Sequence, residues 1–180
     1  MKTYIALLRG INVSGQKLIK MEMLRTVLKE LDYHNIRTYI QSGNILFDYK
    51  SDDTKVLEQQ ITDHIEKHFG FQVPVVIVTL DYLKSVVKEN PYNKHSITDP
   101  AQPYVAFLSE VPVKEGIETL KSVDFGEDQY TINSKSIYLL YAKSAGNSKL
   151  SNTVIENKLK VKSTIRNWKT VQKLIELATA

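Results

Sequence analysis

Apolar and polar positions alternate along this chain in two rhythms, and the rhythms change at regular intervals. Thr3 to Leu8 is a continuous apolar run, the mark of a buried strand. From Met21 to Leu31 the apolar residues Leu24, Val27, Leu28 and Leu31 fall on one helical face. Arg37–Ile40 and Asn44–Phe47 are short extended runs around Gln41-Ser42-Gly43, which predicts a hairpin. Asp53 or Thr54 can cap a second helix, in which Leu57, Ile61 and Ile65 recur every fourth residue. Val73 to Thr79 is a fourth strand with Pro74 near its start. The order βαββαβ predicts a ferredoxin-like plait.

The second half repeats the first. YIALLRGIN begins at Tyr4 and YVAFLSEVP at Tyr104. A helix is expected over Pro112–Val123, and a hairpin over Glu127–Ile132 and Ser136–Ala142 around Asn133-Ser134-Lys135. A helix over Leu150–Leu159 and a short strand over Val161–Ile165 complete the second set. A last helix starts near Asn167 and carries Trp168, Val171, Leu174, Ile175 and Ala178. The predicted fold is therefore α+β, a tandem duplication of ferredoxin-like plaits plus a C-terminal helix. Its divisions are 1–80 for the first plait, 81–103 for a helix and polar connector, and 104–180 for the second plait with the C-terminal helix. The connector helix, Tyr82–Glu89, follows Asp81 as its expected cap. The loop Asn90–Pro103 is long enough to be a lid or hinge, though a plain linker is the simpler reading. The runs YIALL, VVIV, YVAFL and IYLLY are apolar on both faces. Such strands ask for cover on both sides, so the two halves are expected to form one body.

Composition narrows the function classes. The 180 residues contain no cysteine, which excludes disulfides and thiolate metal sites and suits a reducing cytosol. The apolar run in MKTYIALLRG is too short for a signal segment and breaks at Arg9. No stretch is long enough to span a bilayer, so a cytoplasmic protein without membrane contact is expected. The net charge of +4 is uneven: residues 143–180 carry +6 and the first 142 residues −2. A basic end fits an anionic partner, although a solvated lysine surface is the simpler reading.

Three stretches, YIALLRGINVSG at 4–15, RTYIQSGNILF at 37–47 and TIRNWKTVQKL at 164–174, resemble the bacterial family called domain of unknown function 1697. The resemblance runs over nearly the whole chain. Gly15 matches the second glycine of the family's GINVGG loop, and Ser14 stands where that pattern has the first, which makes the loop stiffer here. The resemblance implies two tandem ferredoxin-like plaits and no particular activity.

The same stretches hold the candidate chemistry. Gly10 and Gly15 have the spacing of the glycines in a Walker phosphate loop, but Gln16 replaces its lysine and Lys17 its hydroxyl residue. Nucleotide hydrolysis is therefore not expected. Backbone N–H groups of Gly10, Asn12 and Gly15 beside Arg9 can still hold an anion. Gln41, Ser42 and Asn44 form the second candidate: Ser42 and Asn44 are turn formers, while Gln41 either satisfies backbone of the neighbouring loop or faces a ligand. Arg166, Asn167 and Thr170 form the third. Asn167 and Thr164 are possible helix caps, and Trp168 is in phase with the core. Arg166 at a helix start opposes the dipole, so it is expected to answer to a carboxylate or an external anion. His64 and His68 lie one turn apart, but HIEKH is not H-E-x-x-H and shows no third ligand, so no metal is expected. No catalytic residue and no cofactor are predicted. Phe47, Tyr49, Tyr138 and Tyr141 sit where RNA-recognition modules place stacking aromatics, without the accompanying motif.

The leading expectation is a binding module for a small anionic ligand or an acidic partner, meeting residues 9–15, 41–44 and 164–170. The alternatives are an enzyme using the same polar cluster, and a nucleic-acid binder using the lysine-rich C-terminal part.

Overall fold

The computed structural model describes residues 1–50, 53–93 and 102–180. The first half contains β1 (Lys2–Leu8), α1 (Met21–Leu28), β2 (His34–Tyr39), β3 (Asn44–Tyr49), α2 (Thr54–Phe69) and β4 (Val75–Thr79). After α3 (Leu80–Glu89) comes the second half: β5 (Tyr104–Leu108), α4 (Lys114–Lys121), β6 (Gln129–Asn133), β7 (Ser136–Leu140), α5 (Asn152–Leu159) and β8 (Ser163–Asn167). The last helix, α6, is Trp168–Thr179. Each half builds a four-stranded antiparallel sheet, ordered β2-β3-β1-β4 in the first and β6-β7-β5-β8 in the second. This is an α+β fold in two repeated halves plus a C-terminal helix.

The repeat extends to single hydrogen bonds. The Leu8 N–H donates to the Gly43 carbonyl and the Leu108 N–H to the Lys135 carbonyl, both at 2.8 Å. The Arg9 N–H donates to Pro74 at 3.0 Å, and the Ser109 N–H to Lys162 at 2.9 Å. Each half thus ties the end of its first strand to its hairpin turn and to the entry of its last strand.

The chain divides into two compact units, Met1–Lys84 with Leu174–Ala180, and Ser85–Lys173. In the first, Tyr4, Ala6 and Leu8 pack with Leu24 and Leu28 of α1 and with Leu57, Ile61 and Ile65 of α2. Each such fully buried aliphatic side chain contributes about 1.5–3 kcal/mol. All of Tyr4 to Leu8 is buried, as the unbroken apolar run requires. The end of α6 joins this unit through Arg37, whose Nη1 donates to the Leu177 carbonyl at 2.6 Å. A cation at a helix C-terminus also meets the negative end of its dipole. In the second unit, Ala106 and Leu108 pack with Leu120, Ile155 and Leu159. Gly116 lets α4 approach α5, since a Cβ there would stand 3.1 Å from the Leu159 Cα.

Local signals explain most boundaries. Asp53 caps α2 by accepting from the N–H groups of Lys55 at 3.0 Å and Val56 at 3.2 Å, and Gly70 ends that helix in the left-handed conformation. Several boundaries shift by a few residues from the sequence expectation, and three of the shifts have a visible local cause. β2 begins at His34 rather than Arg37, because an irregularity with Asn35 at φ 50° lets the strand continue past it. α3 begins at Leu80, capped not by Asp81 but by Thr79, whose Oγ1 accepts from the Tyr82 N–H at 3.2 Å. β8 runs on to Asn167, so Arg166 is a strand residue paired with Val105 and not a helix start. The expected loop Asn90–Pro103 falls largely outside the described residues.

Candidate functional site

The connection from β1 to α1 is the most unusual backbone in the first unit. Gly10, Asn12, Ser14, Gly15 and Lys17 all have positive φ, between 46° and 72°. Left-handed conformations cost about 1–2 kcal/mol for a residue with a Cβ, and Asn bears them best. The loop survives because its base is clamped. The Asn12 N–H donates to the Lys17 carbonyl at 3.2 Å, and the Gln16 N–H to the Val13 carbonyl at 2.9 Å. The Asn12 side chain accepts from the Ile19 N–H at 2.9 Å and donates to the carbonyls of Ile19 at 2.9 Å and Gln41 at 2.8 Å. Ile11 and Ile19 anchor either side in the core. Between these anchors, residues 13–18 stand exposed.

The second half shows what the fold itself requires at this place. There, β5 reaches α4 through residues 109–113 alone, whereas β1 reaches α1 through residues 9–20. The additional residues and their strained torsions are therefore not a demand of the repeated architecture. They frame a cavity of about 460 Å³ lined by Arg9, Gly10, Val13, Ser14, Gln16, Lys17 and Pro74. Among the described residues two cations line it and no carboxylate does. Lys17 is held by its Nζ donating to the Gln72 carbonyl at 2.7 Å. A second cavity, about 650 Å³, is lined by Asn12, Leu18, Met23, Gln41 and Phe69 among others.

Ser14, at φ 50°, carries a Cβ in the left-handed region. Ser14→Gly is expected to raise stability by up to about 1 kcal/mol, since glycine adopts this conformation without strain. Urea denaturation of the two proteins measures the difference.

The hairpin turn packs directly on this loop. Gln41 gives its carbonyl to Asn12, and its side chain is exposed. Asn44 is buried and donates to the Tyr39 carbonyl at 2.9 Å and the Ser42 hydroxyl at 3.3 Å. Gly43, at φ 83°, passes so close to the loop that an added Cβ would stand 2.7 Å from the Ile11 Cδ1 and 2.8 Å from the Leu8 Cβ. The conformation and the contact both require glycine there.

The third candidate cluster belongs to the second unit and turns inward. Arg166 is 7% exposed and donates through Nη1 to the Thr164 hydroxyl at 2.7 Å and the Ile165 carbonyl at 3.0 Å. Burial holds its guanidinium pKa down at about 10. Asn167 caps α6 by accepting from the Thr170 N–H at 2.8 Å, and Thr170 and Trp168 are buried. Among the candidates, then, Arg9 and Gly10 line the loop cavity together with Ser14 of the expected 9–15 segment, and Gln16 and Lys17 are further lining that lies beyond that segment. Asn12 and Asn44 spend their amides on backbone. Gly15 shapes the loop tip with open space around it.

The model of a family described as Protein of unknown function (DUF1697) matches residues 1–138. A conserved bacterial protein of Streptococcus pneumoniae has a similar structure, with a TM-score of 0.70 at 24% identity, over 98% of this chain and 98% of that one. No curated protein matches.

Proposed function

Because the chain belongs to the family of proteins of unknown function called DUF1697, we propose its role from its own loop: a binding module for a small anionic ligand, taken at residues 9–17. The observation that carries this reading is the contrast between the halves. One half keeps a short connection at 109–113; the other maintains a strained loop whose exposed segment puts Arg9 and Lys17 on one cavity. Strain that the fold does not need is most simply retained for what it holds. Backbone N–H groups in such a run and two cations favour phosphate or carboxylate. The reading places the loop on a ferredoxin-like plait, supported by the strand order in each sheet. It also takes the protein as bacterial and cytoplasmic, in keeping with the lack of cysteine. An acidic partner is the second form of the same reading, favoured by Val13, Leu18, Met23 and Ile40, all exposed apolar residues on or beside the loop. Base stacking gains less support. Phe47, Tyr138 and Tyr141 are buried, with Phe47 stacked on Tyr33 at 4.3 Å and Tyr138 donating to the Val86 carbonyl at 3.1 Å.

A thermal-shift series with inorganic phosphate, pyrophosphate and small phosphorylated and carboxylated metabolites tests the proposal. A ligand at one hundred times its Kd stabilises by about 2.7 kcal/mol, a shift of several degrees at this size. Arg9→Ala and Lys17→Ala are expected to melt close to the parent and to lose that shift. Equal responses in parent and variants would refute the site.

A further inference from the structure

We propose that Glu30, His64 and His68 form a transition-metal site, with zinc as the best-fitting ion. The two histidines stand one turn apart on α2, so both rings project from the same side of the helix. Sequence spacing offers them no third ligand; the fold does. Glu30 follows the C-terminus of α1, and its Oε2 lies 3.3 Å from the His64 Nε2 and 3.2 Å from the His68 Nε2. The ligand atoms of all three residues lie within 4.8 Å of one another. Zinc bonds of about 2.0–2.1 Å in a tetrahedron set ligand atoms about 3.3–3.4 Å apart. Both nitrogen–oxygen spacings are close to that edge length.

The surroundings suit an ion as well. Side-chain exposure rises from 12% at His64 through 26% at His68 to 52% at Glu30, so the site has a packed floor and an open mouth. Two imidazoles and one carboxylate fill three positions and leave the fourth for water or an external ligand. Nickel and cobalt take the same donor set, and imidazole nitrogen ranks them with zinc well above magnesium or calcium. The floor also fixes the proton inventory. The His64 Nε2 is 3.0 Å from the Val27 carbonyl, to which its N–H donates in the metal-free protein. On binding, that nitrogen must present its lone pair, with the ring proton carried on Nδ1 instead. Without metal the same three groups form a hydrogen-bonded cluster at the meeting of α1 and α2, and the test has to separate the two.

Tag-free full-length protein is titrated with cobalt(II), followed by its visible absorption, and the cobalt is then displaced with zinc. The proposal expects one equivalent of cobalt in a four- or five-coordinate spectrum, displaced by one equivalent of zinc, which also raises the melting temperature. Losing a group that only orients a metal ligand costs about 10–100-fold in affinity. Glu30→Gln, His64→Ala and His68→Ala, each direct, are expected to cost at least as much. Glu30 and His68 are the more exposed pair, so their variants carry the test if His64→Ala fails to fold, as judged by circular dichroism without metal. A parent protein with no cobalt spectrum and no zinc-induced shift at tenfold excess overturns the site. So does a Glu30→Gln variant that binds as tightly as the parent, which would leave only a histidine pair on a helix.

Discussion

Gly43→Ala is expected to destabilise the protein by about 2–4 kcal/mol, combining a left-handed backbone penalty with overpacking against the core. The φ of 83° accounts for the first part, and the approach of 2.7 Å to Ile11 and 2.8 Å to Leu8 for the second. Neither neighbour can retreat. Leu8 is pinned by its own N–H donating to the Gly43 carbonyl, and Ile11 is buried at the foot of the loop. Gly126→Ala provides the comparison, because Gly126 has φ 65° with open space where its Cβ would stand. Its cost should be near the backbone penalty alone, about 1–2 kcal/mol. Denaturant midpoints of the three proteins, read by circular dichroism, give both numbers. Equal costs at the two glycines would show that the close approach of turn and loop carries no energy.

Arg166→Ala is expected to lose about 1–3 kcal/mol, the cost of leaving the Thr164 hydroxyl and the Ile165 carbonyl without their donor, with a cavity term added. Arg166→Met should lose less, since it keeps most of the volume and removes a buried charge. pH separates the two effects. The folded guanidinium has its pKa depressed by burial to about 10, below its value in the unfolded chain. The unfolded state therefore binds more protons above that pH, and the parent gains stability relative to Arg166→Met as pH rises through 10. Below pH 10 the difference between them should be flat. If Arg166→Ala melted like the parent, the residue would not be structural, and a ligand role for the third motif would return.

Among the described residues the apolar rhythms locate each β-strand and α-helix of both halves, though not the 3-10 turn Ala145–Asn147, because period two and period 3.6 each reflect a single buried face. Residues whose role depends on direction were harder. Asn12, Gln41 and Asn44 have the residue types of ligand contacts, yet two of the three turn their amides to backbone carbonyls, and nothing in a loop's sequence states where a side chain points. Arg166 looked like a helix start because a charge at the end of a β-branched run reads as a boundary. The pairing with Val105 draws it one step further into the sheet and under cover. Thr79 displaced Asp81 as a cap because β4 runs into α3 without an intervening loop. Glu30 is separated from His64 by a hairpin and half a helix, so no local spacing could announce it. The strain in residues 10–17 is legible as two glycines and the stiffening at Ser14; Asn12 and Lys17 share it without any sequence mark.

The most direct test of the loop as the binding site is a map of backbone amide shifts in isotopically labelled protein titrated with pyrophosphate or with the anion that gives the largest thermal shift. The account predicts saturable shifts concentrated at Gly10 to Lys17, with smaller ones at Gln41 to Gly43, where the turn meets the loop. Shifts concentrated in the lysine-rich residues 149–173, with the loop amides unmoved, would contradict it.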